Sequence, residues 1–184
     1  MTIHLHADAT PGFPALDLRP WETDDIPALI EIYRDPVLRR WTRFPVNDEN
    51  DAKEWLETQR RGWADRERCG FAVLEAGRPV AHILLKKLVP GEPSAEVGYW
   101  TAAEARGRGI AVRALDAVSR WAFTTLNLER LDLLHQVDNL ASCRVAQKCG
   151  YTLEAVLPPH PPFPNPGHLH TRPASRELHV TAQR

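Results

Sequence analysis

Apolar and polar positions alternate or recur in ways that divide the chain into elements. Leu16-Asp17-Leu18-Arg19 alternates apolar and charged residues and predicts a first strand, which Pro20 stops. Ile26, Leu29, Ile30 and Tyr33 then recur at helical spacing. Thr23 is a suitable N-cap for that helix, with Asp24 and Asp25 in its first turn. A proline-interrupted stretch follows over 35–45, and it carries Arg39, Arg40, Trp41 and Phe44. The spacing predicts a second helix over 48–65, with Ala52, Trp55, Leu56, Gln59 and Trp63 on one side. Two apolar runs, 71–75 and 79–85, flank Ala76-Gly77-Arg78 and predict a β-hairpin. Pro90-Gly91-Glu92-Pro93 turns the chain into a third run, Glu96-Val97-Gly98-Tyr99-Trp100.

Behind that run comes a basic glycine turn, Arg106-Gly107-Arg108-Gly109, and then a helix to about Leu126 on Ala111, Ala114, Leu115, Val118, Trp121 and Ala122. Gly107 and Gly109 let backbone N–H groups approach a ligand without a Cβ in the way. The positive end of the following helix lies at this turn, so the place suits a phosphate or pyrophosphate. The turn lacks the Lys-Ser/Thr of a P-loop and the third glycine of the dinucleotide fingerprint, and both readings fail.

Arg106-x-x-Gly109-x-Ala111 resembles the acyl-CoA loop of the GNAT superfamily of N-acetyltransferases, whose pattern is Gln/Arg-x-x-Gly-x-Gly/Ala. The preceding run 96–100 is similar to the branch that includes the RimJ and RimL ribosomal-protein N-acetyltransferases. A second motif follows in the family's order. It is an apolar strand over 130–137, Asn139-x-x-Ser142, a short helix with Val145, Ala146 and Cys149 inward, and Gly150-Tyr151 leading into a strand to Val156. The resemblance covers roughly Leu16 to Val156 and a final strand. It implies an α+β fold: a mostly antiparallel mixed sheet, splayed at the acyl-CoA site, with helices on both faces. It also implies acetyl transfer from acetyl-CoA to a primary amine by direct attack in a ternary complex. The acceptor is a protein N-terminus or a small-molecule amine.

By the same resemblance, Arg106, Gly107, Arg108, Gly109, Ile110 and Ala111 hold the pyrophosphate, with Arg106, Arg108 and Arg113 adding charge. Trp100, Thr101 and Ala102 lie against the pantetheine arm and thioester, where an N–H can polarise the carbonyl. Glu96 is the candidate base; a free glutamate near about 4.3 is too weak alone, so burial or a relaying water has to assist. The plainer role for Glu96 is an ion pair with an arginine. Many family members protonate the departing thiolate with a tyrosine, but Ala146 stands at that position. Ser142 is the candidate proton donor instead, beside Asn139, which would bind the pantetheine arm or order a water. Both also suit helix capping. Tyr151 reads as a core aromatic. Trp41, Phe44 and Tyr99 are candidate acceptor-binding residues, although aromatics of this kind often anchor a loop on the core. Two other functions stay open: the same fold with a longer acyl-CoA, and a non-catalytic acyl-CoA-binding module.

Composition narrows the picture further. The 184 residues fit a single domain over 15–184, with 1–14 expected as a loosely held arm. A net charge of -1 argues against nucleic acid as a partner, and no apolar run reaches membrane-spanning length. Cys69, Cys143 and Cys149 are odd in number and lack metal-type spacing, which fits reduced thiols and a cytoplasmic location. A homodimer is left open. The stretch 157–173 is dense in proline and histidine and is expected as a surface loop before a last strand over 176–181. His168-x-His170 invites a metal, but no acidic or cysteine partner is spaced nearby, so no metal is expected.

Overall fold

The hydrophobic alternation around Leu16 and Leu18 does build a strand, and that strand seeds the sheet. The computed structural model describes residues 3–174. In chain order the elements are β1 (Leu5–Ala7), β2 (Leu16–Pro20), α1 (Ile26–Ile32), α2 (Pro36–Trp41), α3 (Glu49–Asp65), β3 (Arg68–Glu75) and β4 (Arg78–Lys86). Then come β5 (Ser94–Thr101), α4 (Ile110–Thr125), β6 (Arg130–Gln136), α5 (Leu140–Lys148), β7 (Thr152–Leu157) and β8 (Gly167–Pro173). All eight strands join one sheet in the order β1-β2-β3-β4-β5-β6-β8-β7. Every neighbouring pair is antiparallel except β5 with β6. This is the mostly antiparallel mixed sheet that the resemblance implied. Among the described residues no helix is long and apolar enough to cross a membrane.

Four expectations change. The arm expected over 1–14 is partly strand: β1 pairs Leu5 with Leu18 and Ala7 with Leu16, burying Ala7 against the core. Asp25, and not Thr23, organises the entry to α1. Its carboxylate accepts from the Glu22 N–H at 2.9 Å and takes both Arg19 guanidinium nitrogens at 2.7 and 2.9 Å. The 35–45 stretch contains α2, because Pro36 occupies the first turn, where a missing N–H is harmless, and Asp35 caps Val37 and Leu38. Finally, β8 lies inside the segment expected as a loop. The prolines crowd 158–166, while 167–172 has none and can supply ladder donors to both β6 and β7. The strand expected over 176–181 lies outside the described residues.

The hairpin turn falls on Ala76 and Gly77, both at positive φ, as a tight two-residue connection requires. Side chains alternate across the sheet. His82 of β4 and its cross-strand partner Trp100 of β5 face an aromatic cluster formed by Trp21, Tyr33 of the α1 end and Trp55 of α3. Trp21 Nε1 donates to His82 Nδ1 at 2.9 Å, and burial drives the imidazole pKa down to about 3. Phe71 and Ile83, one residue out of phase, meet the other layer, where Phe71 packs edge-on to Trp121 of α4 at 5.4 Å. Helices therefore cover both faces. Tyr151 is core, as expected, buried with its hydroxyl 2.8 Å from Ser119 Oγ.

Candidate active site

A parallel pair needs a long crossover, and its evenly spaced, slanted hydrogen bonds hold only as far as the register runs. Here β5 and β6 pair only from Ser94 opposite Arg130 to Val97 opposite Leu133. Beyond that point β5 stays with β4 as far as Thr101, and β6 stays with β8 as far as Gln136. The two strands part, leaving a wedge between Gly98–Thr101 and Leu134–Gln136. Ladder alternation decides which main-chain groups face it. Ala102 N–H donates to Val80 O at 2.9 Å, so Trp100 and Gly98 also turn their main chain toward β4. Tyr99 and Thr101 turn theirs into the wedge. Of the three expected positions, Trp100 and Ala102 thus turn to β4, Thr101 turns into the wedge, and Tyr99 joins it. The Trp100 side chain is buried in the aromatic cluster.

Two helices begin at the mouth of this wedge. α4 follows Gly107 (φ 74°) and its N-cap Gly109 (φ 72°). A Cβ at either glycine would meet nothing within 4 Å, so it is the positive φ that demands glycine there. Among the described residues the N–H groups of Ile110, Ala111 and Val112 in the first turn have no acceptor, the usual state of a helix start open to an anion. α5 follows Asn139, whose Oδ1 accepts from the Ser142 N–H at 3.1 Å. The Tyr99 phenol spans the wedge and donates to Ser142 Oγ at 3.1 Å. Burial pushes the Tyr99 pKa up, so this hydroxyl keeps its proton.

The arginines do something other than expected. Arg106 bonds the Asp35 carboxylate and Thr101 O, Arg108 forks onto Glu75 at 2.6 and 2.8 Å, and Arg113 donates to Pro14 O at 2.6 Å. They brace the glycine turn against α2, the β3 end and the N-terminal segment. Asp35 and Glu75 carry that bracing, and no local pattern in the sequence marks them, since their partners lie 71 and 33 residues away.

Glu96 is the second correction. Its carboxylate is nearly buried, yet it contacts Lys86 Nζ at 2.5 Å and Lys87 Nζ at 2.7 Å. Burial alone would raise its pKa, but hydrogen bonds and charge from the two lysines outweigh that and hold it below the usual value. A carboxylate held ionised in this way is a weaker base than a free one. It also sits where β5 and β6 are still paired, at the register Glu96 opposite Asp132.

Phe44 is 71% exposed, and Trp41 stacks under Arg40 at 4.6 Å. A cavity of about 400 Å³ lies between α2 and the loop before β8, lined by Arg39, Arg40, Arg43, Gln136, Phe163 and Asn165 among others, and no acidic residue is in its wall. Arg40 ties α2 to the β6–α5 turn through Asp138 at 2.7 Å. At the far side of the turn β8 brings His168 and His170 against His135, and Cys143 Sγ lies 3.8 Å from His170 Nε2. The absence of a cysteine close in sequence therefore did not mean the absence of one in space.

The family model described as Acetyltransferase (GNAT) domain matches residues 15–152. The chain belongs to the GNAT acetyltransferase family. Over 141 residues it is 30% identical to YdaF of Bacillus subtilis (strain 168), covering 74% of this chain and 76% of that one. It is 28% identical to the ribosomal-protein-serine acetyltransferase of Escherichia coli (strain K12), over 64% of this chain and 65% of that one. It is 24% identical to the spermidine N(1)-acetyltransferase of the same organism, over 80% and 78%. Among solved structures, Mycobacterium smegmatis RimJ in complex with CoA-disulfide shares the fold with a TM-score of 0.82 at 20% identity, over 96% of this chain and 88% of that one. The enzyme class of this GNAT protein is N-acetyltransferase.

Proposed function

We propose that this GNAT enzyme uses acetyl-CoA to acetylate the α-amino group of a polypeptide. The observation that carries the reading is the wedge between β5 and β6, with a hydroxyl pair, Tyr99 and Ser142, spanning it beside an arginine-lined cavity. The pyrophosphate sits on the first turn of α4, where Ile110, Ala111 and Val112 offer N–H groups and Gly107 and Gly109 give the turn its shape. The pantetheine arm runs up the wedge along the main chain of Tyr99 and the N–H of Thr101, with Asn139 across from it. The neutral amine attacks the thioester carbonyl, and the Thr101 or Tyr99 N–H meets the developing oxyanion. As the C–S bond breaks, Ser142 gives its proton to the thiolate and recovers the one that the attacking nitrogen sheds, while the Tyr99 phenol keeps its own proton and holds Ser142 Oγ in place.

The acceptor follows from two facts of chemistry. An α-amine has a pKa of about 7.7–8.0, so a useful fraction is neutral near physiological pH without a strong base; a lysine amine at about 10.4 has almost none. With Glu96 held by two lysines, an α-amine is the better match. The cavity wall carries three arginines and no carboxylate, which repels a polyamine and suits a neutral or acidic peptide. The test is thiol release from acetyl-CoA with peptides starting Ser or Ala, with acidic or basic residues behind, against spermidine. Acidic and neutral peptides are expected to react at the α-amine and spermidine hardly at all. Faster turnover of spermidine than of every peptide would overturn the acceptor assignment. Acetyl-CoA at a hundredfold over its Kd should also stabilise the fold by about 2.7 kcal/mol, and an unchanged melting temperature would overturn the donor site.

A further inference from the structure

On the β6 side of the wedge, three elements bring four metal-ligating side chains to one point. His135 and His168 are cross-strand partners on β6 and β8, and His170, two residues on, lies on the same face. Cys143 reaches that face from the first turns of α5. One ligand atom from each lies within 4.8 Å of all the others. The rings pack against each other, with centroids 5.1 Å apart for His135 and His170, 5.4 Å for His135 and His168, and 5.9 Å for His168 and His170.

The packing leaves lone pairs and donors without partners. His135 Nδ1 donates to Gln136 O at 2.8 Å, which puts the lone pair on Nε2, and Nε2 is buried with no partner. A ligating histidine has this same arrangement, with one nitrogen fixed by a backbone carbonyl and the other free for a metal. His168 Nδ1 and His170 Nδ1 are also buried and unpaired, and His170 is 0% exposed. Each unpartnered buried polar atom costs about 1–3 kcal/mol.

One cation would take up the His135 Nε2 lone pair together with Cys143 Sγ and one nitrogen from each of His168 and His170. Three imidazole nitrogens and a thiolate are a donor set for zinc, not for calcium or magnesium, which take oxygen. With bonds of about 2.3 Å to sulfur and about 2.05 Å to nitrogen, a tetrahedral site has an S-to-N edge of about 3.6 Å. Cys143 Sγ and His170 Nε2 stand at 3.8 Å, already close to that edge. We propose that His135, Cys143, His168 and His170 form a tetrahedral zinc site that ties α5 to β6 and β8 beside the acetyl-transfer wedge. As the Zn–S bond forms, the Cys143 S–H bond breaks and its proton goes to solvent. With four protein ligands the site is closed, so the metal holds structure and does no chemistry on substrate. Its position matters because Cys143 directly follows Ser142, and fixing one fixes the other against Tyr99.

The test uses the full chain, stripped with a chelator and reloaded with zinc or cobalt. One equivalent of zinc per chain is expected to survive gel filtration and to raise the melting temperature. Cobalt is expected to give the intense visible bands of a tetrahedral centre together with a thiolate-to-cobalt charge-transfer band. Cys143→Ser, at a half-buried position, should remove the charge-transfer band and weaken zinc binding at least about a hundredfold, since losing even a supporting partner of a ligand costs 10–100-fold. Cys69→Ala, in the core beyond reach of the cluster, should change neither. Retention of less than one zinc for every ten chains, or a cobalt spectrum without a thiolate band in the wild-type chain, would overturn the proposal. So would a charge-transfer band that persists in Cys143→Ser. The wild-type spectrum decides the question even if that variant fails to fold.

Discussion

The two parts of the sheet bury histidine in opposite ways. In the β1–β5 part, His82 lies inside an aromatic cluster with Trp21 donating to it, and the nearby arginines and carboxylates are paired. In the β6–β8–β7 part, three histidines crowd together with buried nitrogens that nothing meets. The first imidazole is finished as folded, because the nitrogen that leaves water finds a partner in the chain. The second arrangement is complete only with something added. The two parts touch through four residue pairs of one parallel seam, and the acetyl-transfer wedge is where that seam ends. Rigid walls on one side, and a wall braced by ligands on the other, suit a cleft that must hold a long donor and still admit a second substrate.

The largest effect should come from breaking the contact that crosses between the parts. Ser142→Ala is expected to slow turnover by about 10²-fold with acetyl-CoA affinity nearly intact, because positioned proton transfer is lost while the donor site remains. Tyr99→Phe should lose less, since Ser142 still reaches the thiolate and the attacking nitrogen can resupply it. Wild-type turnover in both variants would show that the pair only holds α5 to β5.

The finished part can be probed by acid. His82 has a folded-state pKa of about 3 and an unfolded value near about 6.5. Below that upper value the unfolded chain takes up a proton that the folded chain refuses, so stability falls as pH falls. The contribution of His82 should be about 1.4 kcal/mol per pH unit between about pH 6 and 5. Urea unfolding of the wild type and of His82→Gln across that range would measure it, and parallel slopes would contradict the burial of a neutral imidazole.

The smallest effect belongs to the foot of the seam. Glu96→Gln removes ion pairs to two partly exposed lysines, so about 1 kcal/mol of stability or less should go, with turnover nearly unchanged. The Glu96 pKa is depressed, so its share of stability is present above about pH 4.3 and disappears as pH falls through the lower folded value. A loss of turnover of about 10²-fold or more that shrinks as pH rises would restore Glu96 as the base.

What could be read from the sequence was whatever short-range spacing encodes. The alternation at Leu16–Arg19, the Ala76-Gly77 turn, the α4 stripe and the Asn139-to-Ser142 cap are all local, and the structure contains each of them. The order of the two motifs was enough to imply the family fold. What was hidden depends on partners far along the chain. Nothing near Arg106 or Arg108 announces Asp35 or Glu75, and nothing near Glu96 in a single strand shows that Lys86 stands opposite it. Cys143 and His170 are separated by 27 residues that include a whole strand and a proline-rich loop. Proline density also hid β8, because the prolines end one residue before it begins.

The order β6-β8-β7 has a consequence for synthesis. β7 leaves the ribosome before β8, yet among the described residues its only neighbour in the sheet is β8. Until Gly167–Pro173 has emerged, β7 has no template to pair with, and β6 carries an open edge of the kind that invites pairing with another chain. The interval between the emergence of β6 and that of β8 is therefore the vulnerable one. His168 and His170 arrive with β8, so any ion held by the cluster can bind fully only as that edge closes.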